Sequence, residues 1–208
     1  MSEKKNKEHV IEETIDQDAV DTNELSVEEK LQEELKQEWF KKNKDVSDNG
    51  TRLHFVLETM LNEKLTITEL KKRFILSDED LIYVRYVKRL KLHNCVDLIT
   101  EELLFEKHYE VAGQSDVTSV VERNGLLYND IDDWKFNSKK LDFNGFKGQR
   151  FLYPLEKYEA GKLRIYQIQL SIYMFLKCKK NGHLPGKIRV HHFLNGECET
   201  FNLEYLRT

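Results

Sequence analysis

Two carboxylates and a lysine are the residues in this chain best placed to do chemistry. Asp116 sits in Val111-Ala-Gly-Gln-Ser-Asp116, and Asp133 and Lys135 sit in Ile131-Asp-Asp-Trp-Lys135. Between them lies Asn124-Gly125, the preferred pair for a two-residue type I′ hairpin turn. With that turn, residue 123 faces 126, and counting outward along both strands brings Asp116 opposite Asp133. Two carboxylates about 5 Å apart repel unless a positive charge lies between them. Lys135, two residues beyond Asp133, projects from the same face of its strand. Such a set can hold Mg²⁺ or Mn²⁺, hard cations that prefer oxygen ligands. The ammonium can then orient or help deprotonate a bound water and offset charge on a phosphorane-like transition state. An isolated Asp-x-Lys is more commonly a surface ion pair; the hairpin that sets Asp116 opposite is what favours chemistry.

The elements that must position these residues follow from periodicity. Residues 1–25 are charged and aperiodic and read as disordered. Ser26 offers an N-cap, and Leu31, Leu35, Trp39 and Phe40 mark a helical stripe near 27–43. That helix would dock on the domain or bind a partner. After a break at Lys44–Gly50, residues Leu53, Val56, Leu57, Met60 and Leu61 predict a helix of about 12 residues. Ser77 opens another, reaching Leu92, whose outer face carries Arg85, Lys88, Arg89 and Lys91. A basic helix face of this kind is either solvated or a phosphate-contact surface. Residues 96–135 read as a three-stranded meander, 136–160 as loop, and 162–179 as a helix apolar around most of its circumference, fit to pack on a sheet. Lys187–Phe193 and Glu199–Leu203 close as a strand pair around Asn195-Gly196. The expected order is helix, helix, three strands, helix, strands, in an acidic tail (1–45) followed by one domain (46–208).

Charge and cysteine usage exclude several classes. The net charge of −4 divides unevenly: residues 1–45 hold 14 acidic and 8 basic side chains, and the remainder 23 acidic and 25 basic. The acidity belongs to the tail, so it does not argue against a phosphate-backbone partner. Cys95, Cys178 and Cys198 are widely spaced and lack metal-ligand spacing, which predicts reduced, mostly buried thiols and no zinc ribbon or iron–sulfur cluster. No membrane-length apolar run or signal segment is visible. A cytoplasmic protein, in a bacterial or phage-infected cell, is the expectation.

Four blocks in order over residues 50–175 carry a resemblance to a known family. They are Gly50-Thr-Arg-Leu-His54 with Glu58 one turn later, Ala112-Gly113-x-x-Asp116, Asp133-Trp-Lys135 and Gln169-Leu-Ser-Ile-Tyr173. Together they resemble the PD-(D/E)XK nuclease superfamily, in particular its RecB-type exonuclease branch. The resemblance implies an α/β fold with a restriction-endonuclease-like core: a central mixed β-sheet with a three-stranded meander, flanked by helices. It implies His54 as a metal ligand beside Asp116 and Asp133, and Gln169 and Tyr173, which share a helix face, as residues that position nucleic acid and the active site. Glu58 is either an assistant or a plain surface acid. An additional acid on the strand before Asp116 is common in the family; Thr100-Glu101-Glu102 supplies two candidates, of which Glu101 is favoured. Asp132 stands where many relatives have an apolar residue and should face away from the metal. Some branch members ligate an iron–sulfur cluster, for which the cysteines here are insufficient.

The activity implied is Mg²⁺- or Mn²⁺-dependent hydrolysis of phosphodiesters in DNA, or RNA, with exonuclease action favoured over a structure-specific endonuclease. The small size, without motor motifs, resembles nucleases encoded by phages and mobile elements. The alternative is a nuclease-fold binding or assembly module whose acidic tail engages a protein partner or masks the basic surface.

Overall fold

A computed structural model describes residues 47–92, 94–136 and 139–207. These residues belong to one compact unit. The readings made for residues 1–46, disordered tail and docking helix alike, lie outside the described residues.

Three helices come first. Helix α1 spans 47–62 and α2 spans Ile67–Arg73; α3 spans Asp78–Arg89. The break expected at Lys44–Gly50 is therefore already helical from residue 47, and α1 is longer than its apolar stripe suggested. Helix α2 was not anticipated. Its signal was Thr66-x-x-Glu69, a reciprocal capping box in which each end satisfies an orphan backbone N–H of the first turn. Seven residues hold too few apolar positions to show a period. Ser77 and Asp80 form the same box for α3, and the Asp80 carboxylate also takes Arg52 of α1 at 2.8 Å, fastening the two helices.

The sheet has five strands in sequence order: β1 (Asp97–Glu106), β2 (Val111–Arg123), β3 (Leu126–Lys135), β4 (Leu184–Leu194) and β5 (Glu197–Leu203). All neighbours are antiparallel except β3 and β4, which run parallel and are joined through the long helix α4 (Lys162–Asn181). A parallel pair requires such a crossover. The expectation of a mixed α/β sheet built on a meander and flanked by helices holds. Strand β4 begins three residues earlier than expected, at Leu184, with Pro185 beside an irregularity in β3 between Asn129 and Ile131. Proline lacks the N–H that a regular ladder needs, and here it sits beside that irregularity.

Both hairpin turns form where the Asn-Gly pairs predicted. Asn124 and Gly125 have φ of 53° and 76°, Asn195 and Gly196 of 50° and 76°, the left-handed values of a type I′ turn. They set the register from Arg123↔Leu126 to Val117↔Asp132 and from Leu194↔Glu197 to Ile188↔Leu203.

Each face of the sheet has its own core. Val117, Trp134 and Phe193 pack with Leu53, Val56, Leu57 and Val84 of α1 and α3. Leu104, Ile131, Ile188 and Val190 pack with Leu170, Met174 and Leu176 of α4. Each of these fully buried side chains contributes about 1.5–3 kcal/mol. Cys95, Cys178 and Cys198 are free and half-buried. Among the described residues no helix is long and apolar enough to cross a membrane.

The stretch 136–160, expected as loop, has a shaped base in its described part from residue 139 on. Arg164 lies between the rings of Phe143 and Tyr158, 4.6 and 4.5 Å from their centroids. The Ala160 N–H donates to Gln149 O and the Phe151 N–H to Tyr158 O, so 149–160 folds back as a small hairpin.

Candidate metal and nuclease centre

The site forms where β2 leaves the edge of β3. The β1–β2 ladder passes from Thr100↔Val117 to Glu102↔Ser115, stepping over Glu101 and Asp116. The β2–β3 ladder ends at Val117↔Asp132. Continued by one step, the two registers set Glu101, Asp116 and Asp133 in one row across three strands. Asp116 uses the break: its Oδ2 accepts the Trp134 N–H at 2.7 Å, taking a donor that the departing strand no longer serves. Glu101 adopts φ 49°, a left-handed conformation that costs a non-glycine residue of order 1 kcal/mol and that re-aims its side chain.

His54 reaches the row from α1. Its Nδ1 lies 3.6 Å from Asp116 Oδ2 and 3.9 Å from Glu101 Oε1. Ligand atoms of His54, Glu101 and Asp116 all fall within 4.8 Å of one another. The His54 ring stands edge-on to Phe136, just past the end of β3, at 5.4 Å between centroids. A Cβ on Gly50 would meet Phe136 at an ordinary 3.7 Å, so space does not demand glycine at the head of that motif.

Asp133 and Lys135 follow Ile131 along the α4 side of the sheet. Lys135 Nζ is 2.6 Å from Asp133 Oδ2 and 4.9 Å from the centre of the Tyr166 ring at the start of α4. Tyr166 was not singled out from the sequence; its spacing from Gln169 and Tyr173 places all three on one helical stripe, which was the available signal. Gln169 Nε2 donates to the Tyr173 hydroxyl at 2.8 Å. A Cβ at Gly113 would come within 2.3 Å of the Tyr173 ring, so here glycine is required for β2 to approach α4. The second and fourth sequence blocks are thus in contact.

Electrostatics of the row record crowding. Burial, then the neighbouring Asp116 charge, pushes Asp133 up to about 7 against the pull of Lys135. Burial, then Asp116, Glu58 and Asp133, pushes Glu101 up to about 7. Asp116 is raised by burial, with Lys135 and the Trp134 N–H opposing. Burial works against the Lys135 ammonium, yet Asp133 and Asp116 outweigh it and raise its pKa. His54 is lowered, first by burial and then by Lys135, which keeps a lone pair free at neutral pH. Glu58, half-buried on α1, acts on the row through its field on Glu101. This donor set fits a hard divalent cation: carboxylate oxygens and one neutral imidazole, with too little positive charge nearby for all the acids to ionise.

Glu102 and Asp132 belong elsewhere. Glu102, the competing ligand candidate, is buried against α4, 2.5 Å from Lys177 and 2.8 Å from Lys180, with the Thr118 hydroxyl as a further donor. The left-handed turn at Glu101 and strand alternation send the two adjacent acids to different partners. Asp132 faces away from the row, as expected. It takes two bonds from Arg189 at 2.6 and 2.7 Å and one contact from His191 Nε2 at 2.7 Å, joining β3 to β4. Arg85, Lys88, Arg89 and Lys91 are exposed, Lys91 lying beyond the end of α3.

No family model matches the chain, and no curated protein matches it. A solved structure described as "Crystal structure of SSO0001" is similar at 12% identity, covering 77% of this chain and 81% of that one, with a TM-score of 0.31. Likeness at that level carries no argument about fold or function.

Proposed function

We propose that the protein is a metal-dependent nuclease of PD-(D/E)XK type, with a restriction-endonuclease-like core of the RecB-type exonuclease branch, that hydrolyses phosphodiesters in DNA. The observation that carries the reading is the convergence of His54, Glu101 and Asp116, beside the Asp133–Lys135 pair, at one break in the sheet. Four separate segments of chain meet there, and a surface ion pair needs only two.

His54, Glu101, Asp116 and Asp133 would hold Mg²⁺ or Mn²⁺. The cation would supply Lewis acidity at a phosphoryl oxygen and neutralise part of the acid row. Lys135, whose raised pKa keeps it protonated at neutral pH, offsets charge that accumulates on the non-bridging oxygens and orients the attacking water. It is a cation and donor here, not a base. Asp116 is fixed by the Trp134 N–H through Oδ2, the same oxygen that lies 3.6 Å from His54 Nδ1. Gln169 and Tyr173, tied to each other and seated on Gly113, present polar atoms beside β2 for the substrate backbone. A DNA substrate would place the protein in the cytoplasm of a bacterial or phage-infected cell.

The test is cleavage of labelled single- and double-stranded DNA by the full chain with Mg²⁺, Mn²⁺ or chelator. Cutting with metal, lost in chelator and in Asp133→Ala and Lys135→Ala, is expected. No cutting by the wild type, or equal cutting by either variant, overturns the reading. Circular against linear substrate separates endonuclease from exonuclease.

One observation favours the second reading, a nuclease-fold module without catalysis: the Asp133–Lys135 contact at 2.6 Å already satisfies much of the buried charge. Titration calorimetry with Mn²⁺ separates the two, since a closed, salt-bridged site binds no metal.

A further inference from the structure

We propose that the hairpin at residues 149–160 is a stacking platform for an unpaired nucleic-acid strand, which would give the site a single-stranded substrate. The link to cleavage rests on the nuclease reading; the binding claim stands on the hairpin alone.

The hairpin's base is tied down by hydrogen bonds and ring contacts, while large side chains at its tip and in the preceding turn stay exposed. Two backbone hydrogen bonds close it, and Arg164 staples Tyr158 and Phe143 to the first turn of α4. The Gly145 N–H donates to Glu159 at 3.1 Å. Neither Gly145 nor Gly161 has room for a Cβ, with backbone atoms 2.0 and 2.3 Å from where one would lie. Yet Leu152 is 88%, Tyr153 86% and Phe146 77% exposed. Large apolar side chains held outward by an ordered base mark a contact surface rather than incomplete packing.

The surroundings specify the occupant. Lys147, Arg150 and Lys157, all exposed, are interspersed along the chain with the three apolar side chains, and the Lys147 ammonium lies 5.4 Å from the centre of the Phe146 ring. Residues 139–164 carry seven basic and three acidic side chains, in a chain of net charge −4. Aromatic faces interleaved with cations suit a single strand, whose bases offer free π-faces and whose phosphates take the ammonium and guanidinium groups. Duplex bases are already stacked and offer neither ring face. The position agrees: this segment leaves β3 just after Lys135 and returns at α4, where Tyr166 lies 4.9 Å from the Lys135 ammonium.

The experiment uses the full chain in chelator, so that nothing is cut, with fluorescein-labelled oligothymidylate, oligouridylate and a blunt duplex of equal length, read by anisotropy. The wild type should bind at least one of the two single strands at least ten times more tightly than the duplex. Leu152→Ala combined with Tyr153→Ala should weaken single-strand binding about 5- to 160-fold, the loss of one stacked base. Its circular dichroism and melting temperature should be unchanged, because both side chains are exposed. Equal binding of duplex, or wild-type affinity in the double variant, overturns the proposal. Binding to phosphatidylserine vesicles without binding to either oligonucleotide also overturns it, in favour of a membrane-inserting tip. Tip-dependent single-strand binding without metal-dependent cleavage would instead refute the nuclease reading and leave the platform standing. Cleavage with a tip that makes no difference to binding would do the reverse.

Discussion

Asp133→Asn should make the metal-free protein more stable at pH 8 while disabling its metal site. Asp133 is buried, and its pKa in the fold is about 7, against an ordinary 3.8. Between those values the folded state holds a proton that the unfolded chain has lost, so stability falls as pH rises through this window. The difference of about 3 units corresponds to about 4 kcal/mol of destabilisation, complete above pH 7. Asparagine has nearly the same shape and no charge, and removes that cost. It also deprives Lys135 of its contact at 2.6 Å, leaving it the more distant fields of Asp116 and Glu101, which returns part of the gain. The net expected is about 1–3 kcal/mol, or about 3–10 °C in melting temperature for a domain of this size. At pH 5, where Asp133 is already protonated, the two proteins should melt nearly together. Mg²⁺ or Mn²⁺ at one hundred times its dissociation constant should raise the wild type by about 2.7 kcal/mol and leave the variant unmoved. Melting in chelator and in metal at both pH values gives all four quantities. A variant less stable than wild type at pH 8, or a gain that is the same at pH 5, refutes the argument that a buried, crowded carboxylate is what the cation relieves.

Two further outcomes test the scaffold. Glu102→Gln leaves Lys177 buried without its anion and should cost about 3–5 kcal/mol by urea unfolding. Burial opposes ionisation of Glu102, but Lys177, Lys180 and Thr118 outweigh it and depress its pKa. Its contribution is therefore present above the ordinary carboxylate pKa and lost as pH falls through the depressed one, so the variant should show a flatter acid limb. Gly113→Ala must displace the Tyr173 ring, breaking its bond with Gln169, and should cost about 1–3 kcal/mol, with the Tyr173 ring signals shifting in NMR spectra.

How much of this was legible without coordinates depends on how local the signal was. The Asn-Gly turns carried register across long strands, because a type I′ turn needs left-handed φ at both residues and then leaves no freedom in pairing. The apolar circumference of 162–179 announced a helix laid on a sheet. Helix α2 was missed because its evidence was a cap rather than a period. The 136–160 segment reads as loop because the order of its described part comes from Arg164, a residue outside it, between two rings.

By itself the sequence determined the two Asn-Gly turns and the β2–β3 register they impose as far as Val117↔Asp132, one step short of the expected Asp116–Asp133 pair, since turn chemistry and alternation act between neighbours in the chain. Only the tertiary structure decided which acid joins His54. Glu101 and Glu102 are adjacent and chemically alike, and what separates them is a left-handed backbone at Glu101 and two lysines of α4 waiting for Glu102. Asp132 gained its purpose in the same way, from Arg189 and His191 on a strand more than fifty residues away. Burial, and the charges that burial brings together, depend on contacts between distant segments, and no spacing along the chain encodes them.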